Sequence, residues 1–315
     1  MWIVRLDMTD RSYALEEVPE RYRNLGGRGL TSTLIYDEVD PECHPLGPNN
    51  KLVFAPGIIT GTSAPTSSRV SVGAKSPLTG GIKESNAGSG WAQAVAKMGI
   101  KALVVEGQPE DDGYWMVRLS WVDGEPQAQF SSVDDYVGRD LYEVFPDLYA
   151  EVGRRAWVSG IGAAGEFAYP NAGIAFSDMK QKPTRYSGRG GLGAVMGSKH
   201  LKFIVVDPTG APGVEIADEA RFKQGRGKMR DALMEHAITK PQGGLNTYGT
   251  AILINILNEA GGLPTHSFRE GRFEGAADIA GEAIFETNRQ RKGKEVFNHN
   301  CSPGCIIQCS NTLFD

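Results

Sequence analysis

Pro208-Thr209-Gly210-Ala211-Pro212-Gly213 divides this sequence into two textures. Two prolines and two glycines in six residues cannot continue a helix or a strand. Upstream, short apolar runs are closed by turn residues, the pattern of strands. They are residues 1–7, 51–55, 70–73, 102–107, 114–122, 156–159, 172–176 and 203–207. A turn, a short helix and a helical segment at 31–39 fill the opening stretch, and 134–151 reads as helix broken at Pro146. Downstream, Asp218 can cap a helix to about Ala237, and residues 246–260 form one amphipathic helix stopped by Gly261-Gly262 and Pro264. A further helix is expected over 275–287. The fold class is therefore α+β: a β-rich domain over 1–209, then a mostly helical domain from 210 to 315. No internal sequence repeat is apparent.

The length of 315 residues suffices for two domains with real cores, and 40% hydrophobic with 23% charged residues is the balance of a globular protein. Lys and Arg number 33 against 38 Asp and Glu, which makes no electrostatic case for nucleic acid or an anionic membrane as partner. No apolar run approaches a membrane span, and the N-terminus lacks the basic start and apolar core of a signal peptide. With few cysteines, this leads to an expectation of the reducing cytoplasm. Glycine is the outlier, at 40 residues gathered in clusters, and clustered glycine favours a large ligand held by main chain.

Those clusters are specific in place. Thr60-Gly61-Thr62-Ser63-Ala64-Pro65-Thr66-Ser67-Ser68-Arg69 is a hydroxyl-rich loop between strands, suited to facing a ligand. Glu84-Ser85-Asn86-Ala87-Gly88-Ser89-Gly90 reads as a small-residue loop running into a helix at Trp91, an arrangement that suits a phosphate. Two G-x-G-x-x-G matches, at 160–165 and 188–193, lack the βαβ context of a dinucleotide site: Pro170 follows the first too soon, and a polar stretch precedes the second. The second match lies in Thr184-Arg185-Tyr186-Ser187-Gly188-Arg189-Gly190-Gly191, where two arginine forks and three glycines suit phosphate, or else make a mobile basic loop. Arg28, in Gly26-Gly27-Arg28-Gly29, could bind an anion or stand as a solvated loop residue.

Near the end stands Asn300-Cys301-Ser302-Pro303-Gly304-Cys305-Ile306-Ile307-Gln308-Cys309-Ser310. Three thiols at C-x3-C-x3-C on a tight turn suit one compact metal centre. An iron–sulfur cluster fits better than structural zinc, whose ligand pairs are set apart by a long loop, or than a disulfide framework. Cys43 is remote and reads as a lone thiol.

Taken together, these clusters resemble the tungsten-dependent aldehyde:ferredoxin oxidoreductase family. The resemblance also rests on Lys75-Ser76-Pro77-Leu78-Thr79-Gly80, Gly162-Ala163-Ala164-Gly165-Glu166, Tyr248-Gly249-Thr250, Leu263-Pro264-Thr265 and Gly281-Glu282, in order along the chain. It implies a β-sheet base beneath a bis-pterin tungsten (or molybdenum) cofactor. Arg69, Asn86, Ala87 and Gly88 would contact one phosphate region, and Arg185, Tyr186, Gly188, Arg189 and Gly190 the other. Asn86 and Tyr186 would offer main-chain carbonyls to a bridging Mg²⁺. Cys301, Cys305 and Cys309 would be three ligands of a [4Fe–4S] cluster, spaced C-x3-C where many members have C-x2-C. A small residue is common in the family where Tyr186 stands.

The implied activity is oxidation of a small aldehyde to a carboxylic acid, with electrons passing through the cluster to ferredoxin or a similar carrier. Members are longer than this chain, so it reads as an N-terminal portion or one piece of a split enzyme, with a homodimer also open. No residue takes a catalytic acid–base role; Glu166, Glu282 and His299 read as ordinary surface or supporting groups. The rival reading is a non-enzymatic Fe–S electron-transfer or assembly subunit completed by a partner chain. A third is a zinc-stapled structural protein.

Overall fold

The computed structural model describes residues 1–314. The chain is α+β and forms two compact units, one of residues 1–62 and 67–215, the other of 63–66 and 216 onward.

The first unit is built twice over. Its first run is β1 (Trp2–Asp7), β2 (Ser12–Glu17), α1 (Glu20–Arg23), α2 (Gly27–Glu38), β3 (Leu52–Pro56), β4 (Arg69–Lys75), β5 (Ile82–Gly88), α3 (Trp91–Lys97) and β6 (Ile100–Glu106). Its second is β7 (Trp115–Val122), β8 (Glu125–Ser132), α4 (Leu141–Val152), β9 (Trp157–Gly160), α5 (Ala163–Glu166), β10 (Ile174–Phe176), β11 (Arg185–Ser187), α6 (Leu192–Ser198) and β12 (Leu201–Asp207). The first sheet runs β2-β1-β6-β3-β4-β5, and the second, taken in the same sense, β8-β7-β12-β9-β10-β11. Directions agree too: only β1 with β6 and β7 with β12 are parallel. Both parallel pairs carry a register shift at the same place, after Trp2 in one and after Leu201 opposite Trp115 in the other. The Trp2 amide donates to Gly99 O at 2.8 Å, and the Trp115 amide to His200 O at 2.9 Å.

That duplication overturns the expectation of no repeat. Trp2-Ile3-Val4-Arg5-Leu6-Asp7 matches Trp115-Met116-Val117-Arg118-Leu119-Ser120, and Ile100-Lys101-Ala102-Leu103-Val104-Val105-Glu106 matches Leu201-Lys202-Phe203-Ile204-Val205-Val206-Asp207. The likeness is confined to the two paired strands, and unequal connections between them hide it.

Strand alternation separates the layers. Val4, Leu6, Leu103 and Val105 of the first sheet share one core with Val117, Leu119, Ile204 and Val206 of the second. α3 and α6 join that core, where Trp91 packs 5.5 Å from Phe54 and 5.6 Å from Phe176 between ring centroids. The alternate residues Ile3, Val53 and Val104 face Leu30, Leu34 and Ile35 of α2. Met116, Val158 and Phe203 face Val144, Phe145 and Leu148 of α4.

Several local expectations are corrected. Residues 82–88 are a strand rather than a loop, because seven residues of β4 pair with them and long-range pairing overrides weak local propensity. At the start of α3, Trp91 is fully buried and its amide already donates to Ser89 Oγ at 3.1 Å. Residues 12–17 form a strand, α2 begins at Gly27 instead of residue 31, and 185–187 are a short strand paired with β10. α4 runs unbroken through Pro146, which forfeits only the bond to the Tyr142 carbonyl one turn before it.

In the second unit, Asp218 caps α7 (Glu219–Glu235), accepting from the Arg221 amide at 2.9 Å. The single helix expected over 246–260 is broken into α8 (Gly244–Tyr248), a 3-10 turn and α9 (Leu253–Glu259). Gly249 takes φ 69° there, with the Asn311 side chain packed where a Cβ would stand. α10 (Ala276–Ile279) and α11 (Gly281–Lys292) complete the unit. Among the described residues no helix is long and apolar enough to cross a membrane.

Candidate cofactor cleft and cysteine loop

β5 and β11 hold equivalent places as the outermost strands of the two sheets. Here they come side by side: Ser187 Oγ donates to Ser85 O at 3.5 Å, and the Arg189 amide to Ser85 Oγ at 3.3 Å. Ser76 Oγ ties down the following loop through Gly190 O at 2.6 Å. A cleft of about 480 Å³ opens along this seam, lined by Arg28, Lys83, Glu84, Ser85, Asn86, Tyr186, Gly188 and Arg189.

The lining is near-symmetric in origin. Asn86 leads through Ala87-Gly88 to α3, and Tyr186 through Ser187-Gly188 to α6. Asn86 spends its side chain internally, with Oδ1 accepting from Ser71 Oγ at 2.5 Å and Nδ2 donating to Glu84 Oε2 at 2.7 Å. Burial raises the Tyr186 phenol, with Tyr142 and Asp140 adding to the shift, so it stays a neutral donor. Three cations line the cleft against one carboxylate, and Glu84 lies 3.8 Å from Arg28 as well as accepting from Asn86. The balance favours an anion.

Of the residues singled out from sequence, Asn86, Tyr186, Gly188 and Arg189 meet in this cleft. Ala87, Gly88 and Gly190 are buried in the elements behind it. Arg69 lies opposite Gly88 in the β4–β5 register, exposed at the start of its strand, and Arg185 lies half-buried opposite Phe176. Neither arginine lines the cleft. Lys83 and Ser85 were missed because 82–88 carries no strand alternation strong enough to place them on one face. Glu166 proves to be no surface group: its carboxylate is 4% exposed, pairs with Lys202 and accepts from the Gly138 amide at 2.8 Å. In the second unit His299 bonds Thr312 Oγ1 at 3.0 Å, and Glu282 lies 3.5 Å from Asn255.

In the second unit the neighbouring Cys301 thiol, with burial, pushes the Cys305 thiol well up, against opposing amides from Gln308 and Ile307. The loop is anchored by Thr66 N–H to Gly304 O at 3.1 Å, and by the Thr250 amide and hydroxyl to Cys309 O at 3.0 and 3.1 Å. Amide donors around sulfur suit an iron–sulfur loop. As placed, however, the three cysteines do not converge: among the described residues no three His, Cys, Asp or Glu are grouped to hold a metal ion.

A duplicated two-sheet α+β base with a basic seam, together with a thiol-rich loop, characterises the chain. The family described as aldehyde ferredoxin oxidoreductase, N-terminal domain, matches residues 3–208, and that described as domains 2 and 3 of the same enzymes matches 226–314. The chain belongs to the aldehyde ferredoxin oxidoreductase family. The tungsten-containing aldehyde ferredoxin oxidoreductase of Pyrococcus abyssi is 36% identical over 285 residues, 90% of this chain and 44% of the relative. Its counterpart from Thermococcus kodakarensis is 36% identical over 284 residues, 89% of this chain and 44% of the relative. This chain thus spans less than half the length of these relatives. Among solved structures, the active-site complex BamBC of benzoyl coenzyme A reductase with 1,5-dienoyl-CoA is similar in fold. Its TM-score is 0.75 at 23% identity, covering 98% of this chain and 46% of that one.

Proposed function

We propose that this chain forms the base of a bis-pterin tungsten (or molybdenum) site in an enzyme that oxidises an aldehyde to a carboxylic acid, delivering electrons to ferredoxin or a similar carrier. The observation that supports this reading best is the seam where β5 and β11, equivalent strands of two repeats, meet under a basic cleft. A near-symmetric floor fits a ligand made of two like halves. When bound, the metal–pterin supplies a two-electron oxidation with oxygen taken from water.

The chain's own groups then have definite tasks. Arg28, Lys83 and Arg189 would neutralise phosphates; Arg69 and Arg185 are assigned to the same phosphates by the family resemblance, although neither lines the cleft. Asn86 and Tyr186 offer main-chain carbonyls to Mg²⁺. The Tyr186 phenol remains protonated and can donate without adding charge. Cys301, Cys305 and Cys309 are assigned to a [4Fe–4S] cluster, whose fourth ligand this assignment leaves to another residue.

Each charge-assisted bond to phosphate contributes about 1.5–3 kcal/mol, so losing one weakens retention by roughly tenfold or more. Lys83→Gln and Arg189→Gln in the complete enzyme are expected to lower bound tungsten at least tenfold with the melting temperature kept. Unchanged tungsten content in both variants sinks the assignment. Iron and sulfide found without tungsten or pterin would instead favour an electron-transfer or assembly subunit.

A further inference from the structure

A second cleft of the first unit lies outside the seam, beside the second repeat. It measures about 670 Å³, between α4 and the 178–183 turn that joins β10 to β11. A second lobe of about 470 Å³ shares Tyr149, Arg154, Lys180 and Gln181 with it and adds Trp157. Volumes of this order are typical of small-molecule sites.

One wall is aromatic, made by Tyr142, Phe145 and Tyr149. The mouth is cationic. Arg154, Lys180 and Lys182 are exposed there, and none has an ion-pair partner among the described residues. The nearby carboxylate of Asp178 is turned inward and occupied, accepting from the Lys180 and Lys182 amides at 2.7 and 3.0 Å and from Thr184 Oγ1 at 2.8 Å.

Tyr149 lines both lobes with its ring. The residue is 7% exposed, and its hydroxyl is turned into the protein beside Ser177 and Val158, out of reach of solvent. Burial pushes this phenol up to about 12, which keeps it a donor at neutral pH.

We propose that this cleft binds a planar aromatic ring carrying an anionic group, with the ring against Tyr142, Phe145 and Tyr149 and the anion at Arg154 and Lys180. Two sources share that chemistry, a mononucleotide phosphate and an aromatic carboxylate. Stacking on the aromatic wall and charge pairing at the mouth act together, so neither half alone binds well.

Calorimetric titration of the chain with AMP, benzoate and inorganic phosphate tests this. One of the two aromatic anions is expected to bind at least tenfold more tightly than inorganic phosphate; AMP identifies the phosphate source and benzoate the carboxylate. Arg154→Gln with Lys180→Gln should weaken that binding at least tenfold. Arg189→Gln, at the seam, should leave it unchanged, so failure here is distinguishable from failure of the cofactor reading. The proposal is overturned if neither aromatic anion binds at millimolar concentration, if inorganic phosphate binds equally well, or if the mouth variants bind like the parent.

Discussion

The two repeats of the first unit share strand order, directions and a register shift, yet they cover their outer faces differently. In the first, α2 lies directly on β3, β4 and β5. Gly73 makes this possible, because a Cβ there would come within 2.7 Å of Thr31 on the helix. In the second, bulky rings fill the layer between α4 and the sheet: Phe145 stacks edge-on to Phe203 at 6.4 Å and to Tyr149 at 6.3 Å. Beside them, α4 and the 178–183 turn leave a cleft. Backbone topology is thus preserved by pairing, whereas the side-chain volumes in each layer decide whether a face is closed or open.

Equivalent positions give the sharpest ways to break this comparison. Lys101 and Lys202 correspond, but Lys101 Nζ bonds only the Arg23 carbonyl, at 2.9 Å in an exposed setting, while Lys202 is fully buried against Glu166. Lys202→Met strands the Glu166 carboxylate in the interior and should cost about 3–5 kcal/mol in denaturant unfolding. Lys101→Met should stay within about 1 kcal/mol. Equal costs would show that the second repeat does not depend on its ion pair.

Met98 and Lys199 are the next pair. Both are buried, and Lys199 Nζ donates to Asn50 O at 2.6 Å and Gly107 O at 3.0 Å. Desolvation lowers the Lys199 ammonium from 10.5 to about 8. Between those values the unfolded chain binds the extra proton, so stability should rise with pH from about 8 towards 10.5 and be flat below 8. The slope approaches about 1.4 kcal/mol per pH unit, or roughly 3 kcal/mol across the window. Lys199→Met, which makes the repeats alike, should flatten that rise in unfolding measured at pH 7, 8, 9 and 10. A rise that persists in the variant would place its origin elsewhere.

The smallest effect is expected where Arg5 and Arg118 correspond. Arg118 meets Asp207 at 3.2 Å with 36% of its side chain exposed, and Arg118→Ala should cost at most about 1 kcal/mol. Arg5 is 16% exposed and bridges Glu16 and Glu38 at 2.8 and 2.9 Å, so Arg5→Ala should cost more. The ordering of the two melting temperatures checks this.

Much of the architecture was legible in the sequence because it is carried by local pattern. The alternation of Trp2–Asp7, the apolar run of β6 and the Asp218 cap are decided by neighbours a few residues away, and each element stands where it was expected. The glycine and cysteine clusters sufficed to identify the family, since their order along the chain is a linear property. The matching W-x-V-R-L segments were also in plain view, but only the paired register at Trp2 and Trp115 gives them meaning.

What tertiary structure alone decided is everything that depends on distant partners. Residues 82–88 have no strand propensity of note and become β5 because β4 supplies the hydrogen bonds. Lys83, Asn86, Tyr186 and Arg189 share a cleft because two sheet edges, a hundred residues apart in the chain, meet at Ser85 and Ser187. Local propensity fixes which residues can be strand or helix; burial and long-range pairing choose which of them face one another, and a binding site is made of such choices.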